Sequence, residues 1–323
     1  MIKPPPLDVT KAHTRKLVTL SRVVKRDQFA GSPKAGASFR NFLDSLPQTL
    51  AAADMLEIAR RIVLARLHNR PLLLMMGAHP IKVGLSPIIG DLIREGVISG
   101  LATNGAAIIH DFELAFAGRT SEDVGAGLAD GSFGMAEETG AFLNAAAQTA
   151  ASEGAGFGEV IGREIAQSKF KFRNTSLFAA AYQAEVSATV HVTLGADIIH
   201  MHPTADGAAI GQASMTDFRR LVAVVAGLSG GVVINLGSAV VMPEVFLKAL
   251  NLARNLGRKV KNFTAVDMDF VRQYRPRMNV LERPTREGGR AFALTGHHEL
   301  MFPLLAAAIR EELARRPSRA TAD

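Results

Sequence analysis

The chain has 323 residues, of which 48% are hydrophobic, and it carries a formal net charge of +7 and no cysteine. This length and hydrophobic content exclude a disordered chain and allow one large buried core, while the lack of cysteine excludes disulfides, thiolate nucleophiles and cysteine-ligated metals. The basic residues are spread along the chain and only 2 tyrosines and no tryptophan are available for stacking on bases, so we expect no nucleic-acid partner.

The first residues of the chain are rich in proline and basic residues. Residues 1–50 also contain "AGSPKAGAS", a composition typical of an arm rather than a core element. We therefore predict an N-terminal helical arm over 1–50 and a single α/β domain over 51–323. The start lacks the order of a signal peptide, and no apolar stretch reaches the roughly 18 residues of a membrane span. We expect a cytoplasmic protein with no membrane partner.

Short apolar runs alternate with amphipathic stretches along the rest of the chain. Five runs are candidate strands: Leu72 to Met76, Ile98 to Ala102, Thr189 to Leu194, Gly231 to Leu236, and Asn262 to Val266. Between them lie helical patterns such as "SPIIGDLIREG", "MAEETGAFLNAAAQTAA" and "MPEVFLKALNLARNLG". Continuous apolarity is typical of strands covered on both faces. The alternation predicts a doubly wound, mostly parallel, Rossmann-like sheet.

Ligands of an open parallel sheet bind at the carboxyl ends of its strands, which ranks the loops of this chain. After the second strand, "TNGAAIIHDFELAF" places His110, Asp111 and Glu113 close together. Asp111 can act as the N-cap of a helix that starts there, and His110 and Asp111 can act in proton transfer. We keep both interpretations for Asp111 and expect Glu113 to contact the substrate.

The loop after the third strand contains two histidines, in "DIIHMHPTADG". In an extended segment His200 and His202 share a face, which makes them candidates for proton transfer. A divalent metal is an alternative, but neither HExxH nor another complete ligand spacing is present. We therefore predict no metal.

Further candidates follow the first strand and lie near the C-terminus. Lys82 is either an imine-forming nucleophile, if it is buried enough to lose its proton, or an ordinary exposed lysine. His79 is a candidate substrate contact. "GHHELMFPLL" adds His297 at the start of the final helix. The basic stretch from Arg272 to Arg290 is either a solvated loop or a carboxylate or phosphate clamp in which Arg275 and Arg277 hold the substrate.

Two segments, "MGAHPIKVGLSPIIGDLIREGVISGLATNGAAIIHDFELA" and "GGVVINLGSAV", resemble the deoxyhypusine synthase family. The resemblance covers roughly Leu72 to Asp269 as an ordering of elements. It implies an NAD-binding Rossmann-like sheet, a homotetramer and a small-molecule substrate. The turns that contact the dinucleotide in the family match two sets of residues here, to which we add Asp267 from the loop after the fifth strand. The full set of predicted cofactor contacts is Thr103, Asn104, Gly105, Ala106, Gly237, Ser238, Ala239 and Asp267.

The chain departs from the family where the imine-forming lysine is expected. Met242 stands at that place, Lys248 lies further along the next helix, and the family's Gly-Ser-x-Ser-Gly-Ala segment is missing. The interpretation that follows is an NAD-dependent enzyme that acts on a small amine- or carboxylate-bearing substrate, by oxidation coupled to elimination or group transfer. Three alternatives remain: aminobutyl transfer with a relocated lysine (Lys82 or Lys248), a nucleotide-binding tetramer without turnover, and metal-assisted hydrolysis, which ranks last.

Overall fold

The computed structural model describes residues 3–315. Residues up to Ala53 form one compact unit and residues from Asp54 form a second. The first unit contains short 3₁₀ turns and helix α1 (Phe39–Ser45), which Ser38 caps by accepting a hydrogen bond from the Asn41 N–H. Most apolar side chains of the first thirty residues are exposed.

The second unit is built on one sheet of six parallel strands. They are β1 (Leu72–Met76), β2 (Gly100–Asn104), β3 (Ser187–His191), β4 (Val232–Leu236), β5 (Phe263–Asp269) and β6 (Gly289–Thr295). Their spatial order is β3-β2-β1-β4-β5-β6, and all five neighbouring pairs are parallel. The predicted fold class is confirmed. This order reverses direction between β1 and β4, which is where open α/β sheets form their binding crevice.

Helices connect the strands. They are α2 (Leu50–Leu67), α3 (His79–Lys82), α4 (Ser86–Arg94), α5 (Gly105–Ala117), α6 (Val124–Asp130), α7 (Glu137–Glu153), α8 (Phe157–Gln167), α9 (Leu177–Gln183), α10 (Gly207–Ala226), α11 (Val241–Asn255), α12 (Tyr274–Pro276) and α13 (His298–Arg315). A π-helical turn, Arg277–Glu282, directly follows α12.

The sheet is buried on both faces, as its continuous apolar strands predict. On one face Leu73 and Val233 pack with Phe246 of α11 and with Val225 of α10. On the other face Leu74 is also fully buried. Burial on both faces stabilises the sheet by roughly 25 cal/mol per Å² of apolar surface removed from water.

Strand β6 was not predicted. It runs through "GRAFALT", the end of the stretch that the sequence suggested as a basic loop. Only two of its seven residues, Phe292 and Leu294, are buried. An edge strand of this kind alternates in burial and carries polar residues, so it lacks the continuous apolar run of the central strands. The stretch from Arg272 to Arg290 is not a loop, because α12, the π turn and the start of β6 occupy most of it, but Arg275 and Arg277 do make the surface ion pairs that the solvated-loop interpretation expected.

The helix after β2 begins earlier than predicted. Helix α5 starts at Gly105, and its N-cap is Asn104, whose side chain accepts a hydrogen bond from the Ala107 N–H. The N-cap interpretation of Asp111 is therefore wrong, because Asp111 lies two turns inside α5. The segment "GAAII" at the start of the helix is apolar and continues the apolar run of β2, so the sequence does not show where the strand ends and the helix begins.

A buried carboxyl joins α10 to two other elements. Asp217 of α10 accepts hydrogen bonds from the Gly158 N–H in α8 and the Val190 N–H in β3. Burial raises the pKa of Asp217 from 3.8 to about 7. Because the folded-state pKa lies above the unfolded value, the neutral form is favoured in the folded chain. The stability that this carboxyl contributes is complete below pH 3.8 and is lost as the pH rises to about 7.

Replacing Asp217 with asparagine is expected to remove this pH dependence. Between pH 5 and pH 8 the free energy of unfolding of the unmodified chain should fall relative to that of the variant, by on the order of a few kcal/mol, because only the carboxyl becomes charged in the core. Urea unfolding at several pH values measures the difference. Asp27→Asn, at an exposed position, is the matched control. A difference that does not change with pH would contradict the buried titration.

Candidate active site

Helix α3 lies at the carboxyl edge of the sheet and links two groups of polar side chains. It follows β1, the strand next to the reversal of strand order, and has four residues. His79 at its start meets the residues that follow β5, whereas Lys82 at its end meets α5. The two ends of such a short helix are about 5 Å apart along its axis. The two groups are therefore neighbours.

The group near α5 surrounds a cavity of about 220 Å³. Its polar lining consists of one histidine, one lysine, one serine and three carboxylates, and apolar side chains complete the wall. The lining residues are Lys82, Ala106, Ile109, His110, Glu113, Ser121, Glu122, Val124, Phe133, Ala196, Asp197 and Ile198. Sites for drug-sized ligands have volumes of roughly 300–1,000 Å³, so this cavity suits a smaller molecule.

His110 and Glu113 are joined through a threonine that the sequence did not single out. The His110 Nδ1 lies 2.6 Å from the Thr120 Oγ1, and this hydroxyl lies 2.5 Å from the Glu113 Oε2, to which it donates. Thr139 donates to the other oxygen of Glu113 over 3.3 Å. Burial, followed by the positive charge of Lys82, lowers the pKa of His110 to about 4. His110 is therefore neutral at neutral pH.

Asp111 points away from this cavity and holds helix α9. Its Oδ2 accepts a hydrogen bond from the Ser176 Oγ, and its Oδ1 accepts one from the Leu177 N–H. Burial raises the pKa of Asp111 to about 6. Its carboxylate thus satisfies a free N–H at the start of α9.

The predicted cofactor turn after β2 is tightly packed against Asp197. The Asp197 Oδ2 would lie 2.0 Å from a Cβ atom at Gly105, so any larger residue there would displace this carboxylate. Asp197 also accepts a hydrogen bond from the Thr193 N–H, and burial raises its pKa. A carboxylate therefore sits at the positive end of α5, where an anionic ligand would bind. Thr103 is fully buried and its hydroxyl has no hydrogen-bond partner.

The predicted cofactor turn after β4 has a different environment. The Asn235 side chain donates to the Ser238 carbonyl and to the Asp267 Oδ1, which fixes the turn. Gly237 has a φ of 64°, and its Cβ position would lie 2.6 Å from the His298 ring. The Asn235 Oδ1 is buried without a partner. Burial raises the pKa of Asp267 to about 6. The Val240 side chain does not cap α11, but the Ser238 Oγ accepts a hydrogen bond from the Met242 N–H in the first turn of this helix.

Four rings form the second group of the edge. His79 packs at 5.2 Å between ring centroids against His298, and at 5.8 Å against Phe270. Phe270 in turn stacks with His297. His298 is buried, 3.6 Å from the Asp269 carboxylate, and its Nδ1 has no partner. Burial lowers the pKa of His298. Of the two adjacent histidines His297 and His298, we predicted His297 as the candidate for catalysis. His297 is largely exposed, however, and His298 is buried.

His200 and His202 do not share a face. The segment Ile198–Met201 is a 3₁₀ turn rather than extended chain, because the Asp197 carbonyl accepts a hydrogen bond from the His200 N–H. The His200 Nδ1 accepts from the Gly195 N–H. The His202 Nε2 bonds to the Gly134 carbonyl over 2.8 Å. The two rings therefore hold separate loops.

The remaining candidates pair with side chains of their own surroundings. Arg275 lies 3.2 Å from Glu244, which also pairs with Lys248, and Arg277 lies 3.6 Å from Glu282. All three cations are about half exposed or more. Met242 is fully buried in the core. Within residues 3–315 no group of three or more histidine or acidic side chains could hold a metal ion.

Three residues that follow α5 were not predicted: Ser121 and Glu122, which line the cavity, and Thr120, which contacts His110. No motif marks these three residues, because they come close to α5 only through the chain reversal at Gly118, which has a φ of 71°. A left-handed glycine after a helix was the available signal. In the part of the chain that the structure describes, no helix combines the length and apolarity needed to cross a bilayer.

Comparisons with known proteins identify the fold. No protein-family model and no curated protein match the chain. Among solved structures, a conserved putative LOR/SDH protein from Methanococcus maripaludis S2 is 14% identical over 96% of this chain and 76% of its own, with a TM-score of 0.52. A putative deoxyhypusine synthase from Entamoeba histolytica is 12% identical over 84% of this chain and 93% of its own, with a TM-score of 0.50.

A third similar structure is the ternary complex of AgrE with ornithine and NAD⁺. It is 13% identical over 81% of this chain, with a TM-score of 0.50, and the chain spans about a third of its length, 34%. At these identities the matches show the fold alone. The chain has a deoxyhypusine synthase-like fold, as the two motif segments predicted.

Proposed function

We propose that the chain is an NAD-dependent enzyme that oxidises a small amine-bearing molecule, with elimination or group transfer following the oxidation. The observation that carries the proposal is the cavity beside α5, where neutral His110 faces Glu113, Glu122 and Asp197. Three carboxylates favour a cationic ligand. The substrate contacts are Glu113 and, from the neighbouring ring cluster, His79.

His110 would act as the proton acceptor in this reaction. When an ammonium group on a CH carbon is oxidised, one hydride leaves the carbon, one proton leaves the nitrogen, and an iminium remains. The His110 Nε2 takes the proton. The hydrogen bond between the His110 Nδ1 and Thr120 and the hydrogen bond between Thr120 and Glu113 can both remain. An imidazole with a pKa of about 4 keeps its lone pair free at neutral pH, but it is a weak proton acceptor, because a base is most efficient when its pKa lies near the working pH. The iminium is then open to attack or elimination.

The turn after β4 fits a dinucleotide better than the turn after β2. Gly237 and Ala239 present backbone rather than bulky side chains, and Asn235 holds the turn by donating to the Ser238 carbonyl. After β2, by contrast, the Asp197 carboxylate would repel phosphate. When bound, NAD supplies the hydride acceptor. Ornithine and NAD⁺ occupy AgrE, which supports this pairing of an amine with the cofactor.

Denaturing the purified protein tests the cofactor directly. We expect released NAD(H) to be detected by mass spectrometry, and NADH to accumulate when NAD⁺ is added with ornithine or spermidine. Bound nucleotide without turnover of any amine would favour the non-catalytic alternative. If no nucleotide is released and none binds by calorimetry, the proposal fails.

Replacing Gly237 with alanine is expected to weaken NAD binding by about 10-fold or more, since the added methyl meets His298 and displaces the turn. Gly257→Ala is the matched control, because Gly257 has a similar φ of 80° and open space around its Cβ position. Both variants pay the strain of a left-handed residue, about 1–2 kcal/mol. Calorimetric titration with NAD⁺ separates them, and equal affinities would place the cofactor elsewhere.

One observation favours aminobutyl transfer as a second candidate. Lys82 is exposed but lines the cavity together with His110, whereas Lys248 is exposed and paired with Glu244. Lys82 is thus the lysine positioned to form an imine with an oxidised amine. Borohydride reduction in the presence of spermidine and NAD⁺ should leave an adduct on Lys82, and the absence of an adduct on any lysine would discard this candidate.

We further propose the homotetramer that the resemblance implies, with the arm over 1–50 as part of its contacts and a cytoplasmic location. Light scattering of the purified chain gives the number of subunits. A chain without residues 1–50 should show a smaller assembly if the arm takes part.

A further inference from the structure

Thr120 determines which nitrogen of His110 carries the proton. A threonine hydroxyl has one proton, and an ionised carboxylate can only accept. Since the Thr120 Oγ1 donates to Glu113 over 2.5 Å, it must accept from the His110 Nδ1 over 2.6 Å. The Nδ1 of His110 therefore carries the proton, and the lone pair lies on Nε2.

The carboxylate cannot replace the hydroxyl. The His110 Nδ1 lies 3.9 Å from the Glu113 Oε2, which is too long for a hydrogen bond. Thr120 bridges this gap. Thr139 holds the second oxygen of Glu113, so the carboxylate is aimed at the bridge.

The position of Thr120 depends on the turn that ends α5. Gly118 reverses the chain with a φ of 71°, and a Cβ atom there would meet the Phe172 ring at 2.6 Å. The turn is therefore closely packed, and it brings Thr120 back over the helix that carries His110 and Glu113.

We propose that Thr120 is a positioning residue that links Glu113 to His110 and thereby keeps the His110 Nε2 free as the proton acceptor of the cavity. The inference rests on the proposed function for its consequence in catalysis. When His110 takes a proton, the charge that forms on its ring is balanced by Glu113 through the threonine hydroxyl. Partners of this kind orient an imidazole and fix its tautomer.

The experiment compares Thr120→Val with Thr120→Ser. Valine has the shape of threonine but no hydroxyl, whereas serine keeps the hydroxyl. Imidazole ¹⁵N NMR of the full chain reports the protonated nitrogen of each histidine, and His110→Gln identifies the His110 signals. We expect Nδ1–H in the unmodified chain and in Thr120→Ser, and a shift towards Nε2–H in Thr120→Val. For amine oxidation, we expect Thr120→Val to lower kcat by about 10- to 100-fold with little change in KM.

Two outcomes would overturn the inference: an unchanged His110 tautomer in Thr120→Val, or the same loss of kcat in Thr120→Ser as in Thr120→Val. Thermal unfolding of both variants shows whether they fold. The NMR measurement needs neither NAD nor substrate. A protein that binds no NAD would thus overturn the proposed function, while the tautomer measurement would still decide the role of Thr120.

Discussion

Replacing His110 with glutamine is expected to lower kcat for amine oxidation by about 10²- to 10⁴-fold, the usual contribution of a positioned acid or base. Glutamine can still bond to Thr120, but it cannot take up a proton. The KM should change little, because the carboxylates that attract the substrate remain. Initial rates of NADH formation measure the effect.

The pH profile gives a second measurement of the same residue. Burial and Lys82 hold the pKa of His110 at about 4. Only the neutral ring accepts a proton, so kcat/KM should rise with pH through about 4 and stay flat towards neutrality. In His110→Gln this acid limb should disappear.

His68→Gln is the control for the histidine substitution. His68 is exposed and bonds to the Leu64 carbonyl near the end of α2, at the opposite edge of the sheet. It should keep full activity. If His110→Gln kept more than about a tenth of the rate, the proton acceptor would have to be sought in the ring cluster of His79 and His298.

Replacing Met242 with lysine is expected to destabilise the fold by several kcal/mol, even though this change restores the residue that the resembled family carries. Met242 is fully buried among Phe246, Val233 and other core residues. A buried ammonium loses its hydration, and the core residues around this position are apolar. The free energy of unfolding in urea measures the loss.

The destabilisation should depend on pH in a defined direction. Burial favours the neutral amine, so the pKa of the introduced lysine falls below its unfolded value of about 10.4. The penalty is complete below the folded-state pKa and is relieved as the pH rises towards about 10.4. The gap between Met242→Lys and the control Met242→Leu should therefore narrow between pH 7 and pH 10.

Met242→Leu keeps the volume and should cost less than about 1.5 kcal/mol. Equal stability of the two variants at pH 7 would mean that position 242 opens towards the site. In that case a lysine there could reach a ligand, and the chain would be closer to the resembled family than its core packing indicates.

The parts of the site that could be predicted are those placed by the sheet. Gly237 follows a continuous apolar strand, and the carboxyl end of such a strand is known once the strands are known to be parallel. The same reasoning located Lys82 after β1 and His110 after β2. What it could not locate is Thr120, because the residue reaches His110 through a reversal of the chain and not through a regular period.

Histidine spacing was a poor guide for a related reason. His200 and His202 are two residues apart, but a 3₁₀ turn separates their rings and each binds a different backbone atom. The N-cap prediction for Asp111 was wrong because a short polar residue after an apolar run can also lie inside a helix. There its carboxylate can bind the start of another helix, as Asp111 does with α9. Spacing sets the direction of a side chain only after the local backbone is known.

The sequence by itself determined the class of the fold and the edge of the sheet at which chemistry is possible, because burial on both faces requires apolar runs that can be read directly. The resemblance further implied that Met242 stands where the deoxyhypusine synthase family carries a lysine. The tertiary structure decided which polar side chains meet: Asp197 at the start of α5, and Thr120 between His110 and Glu113. These contacts join residues of helix α5 to residues of two loops, and they depend on how the chain turns and packs rather than on any repeat in the sequence.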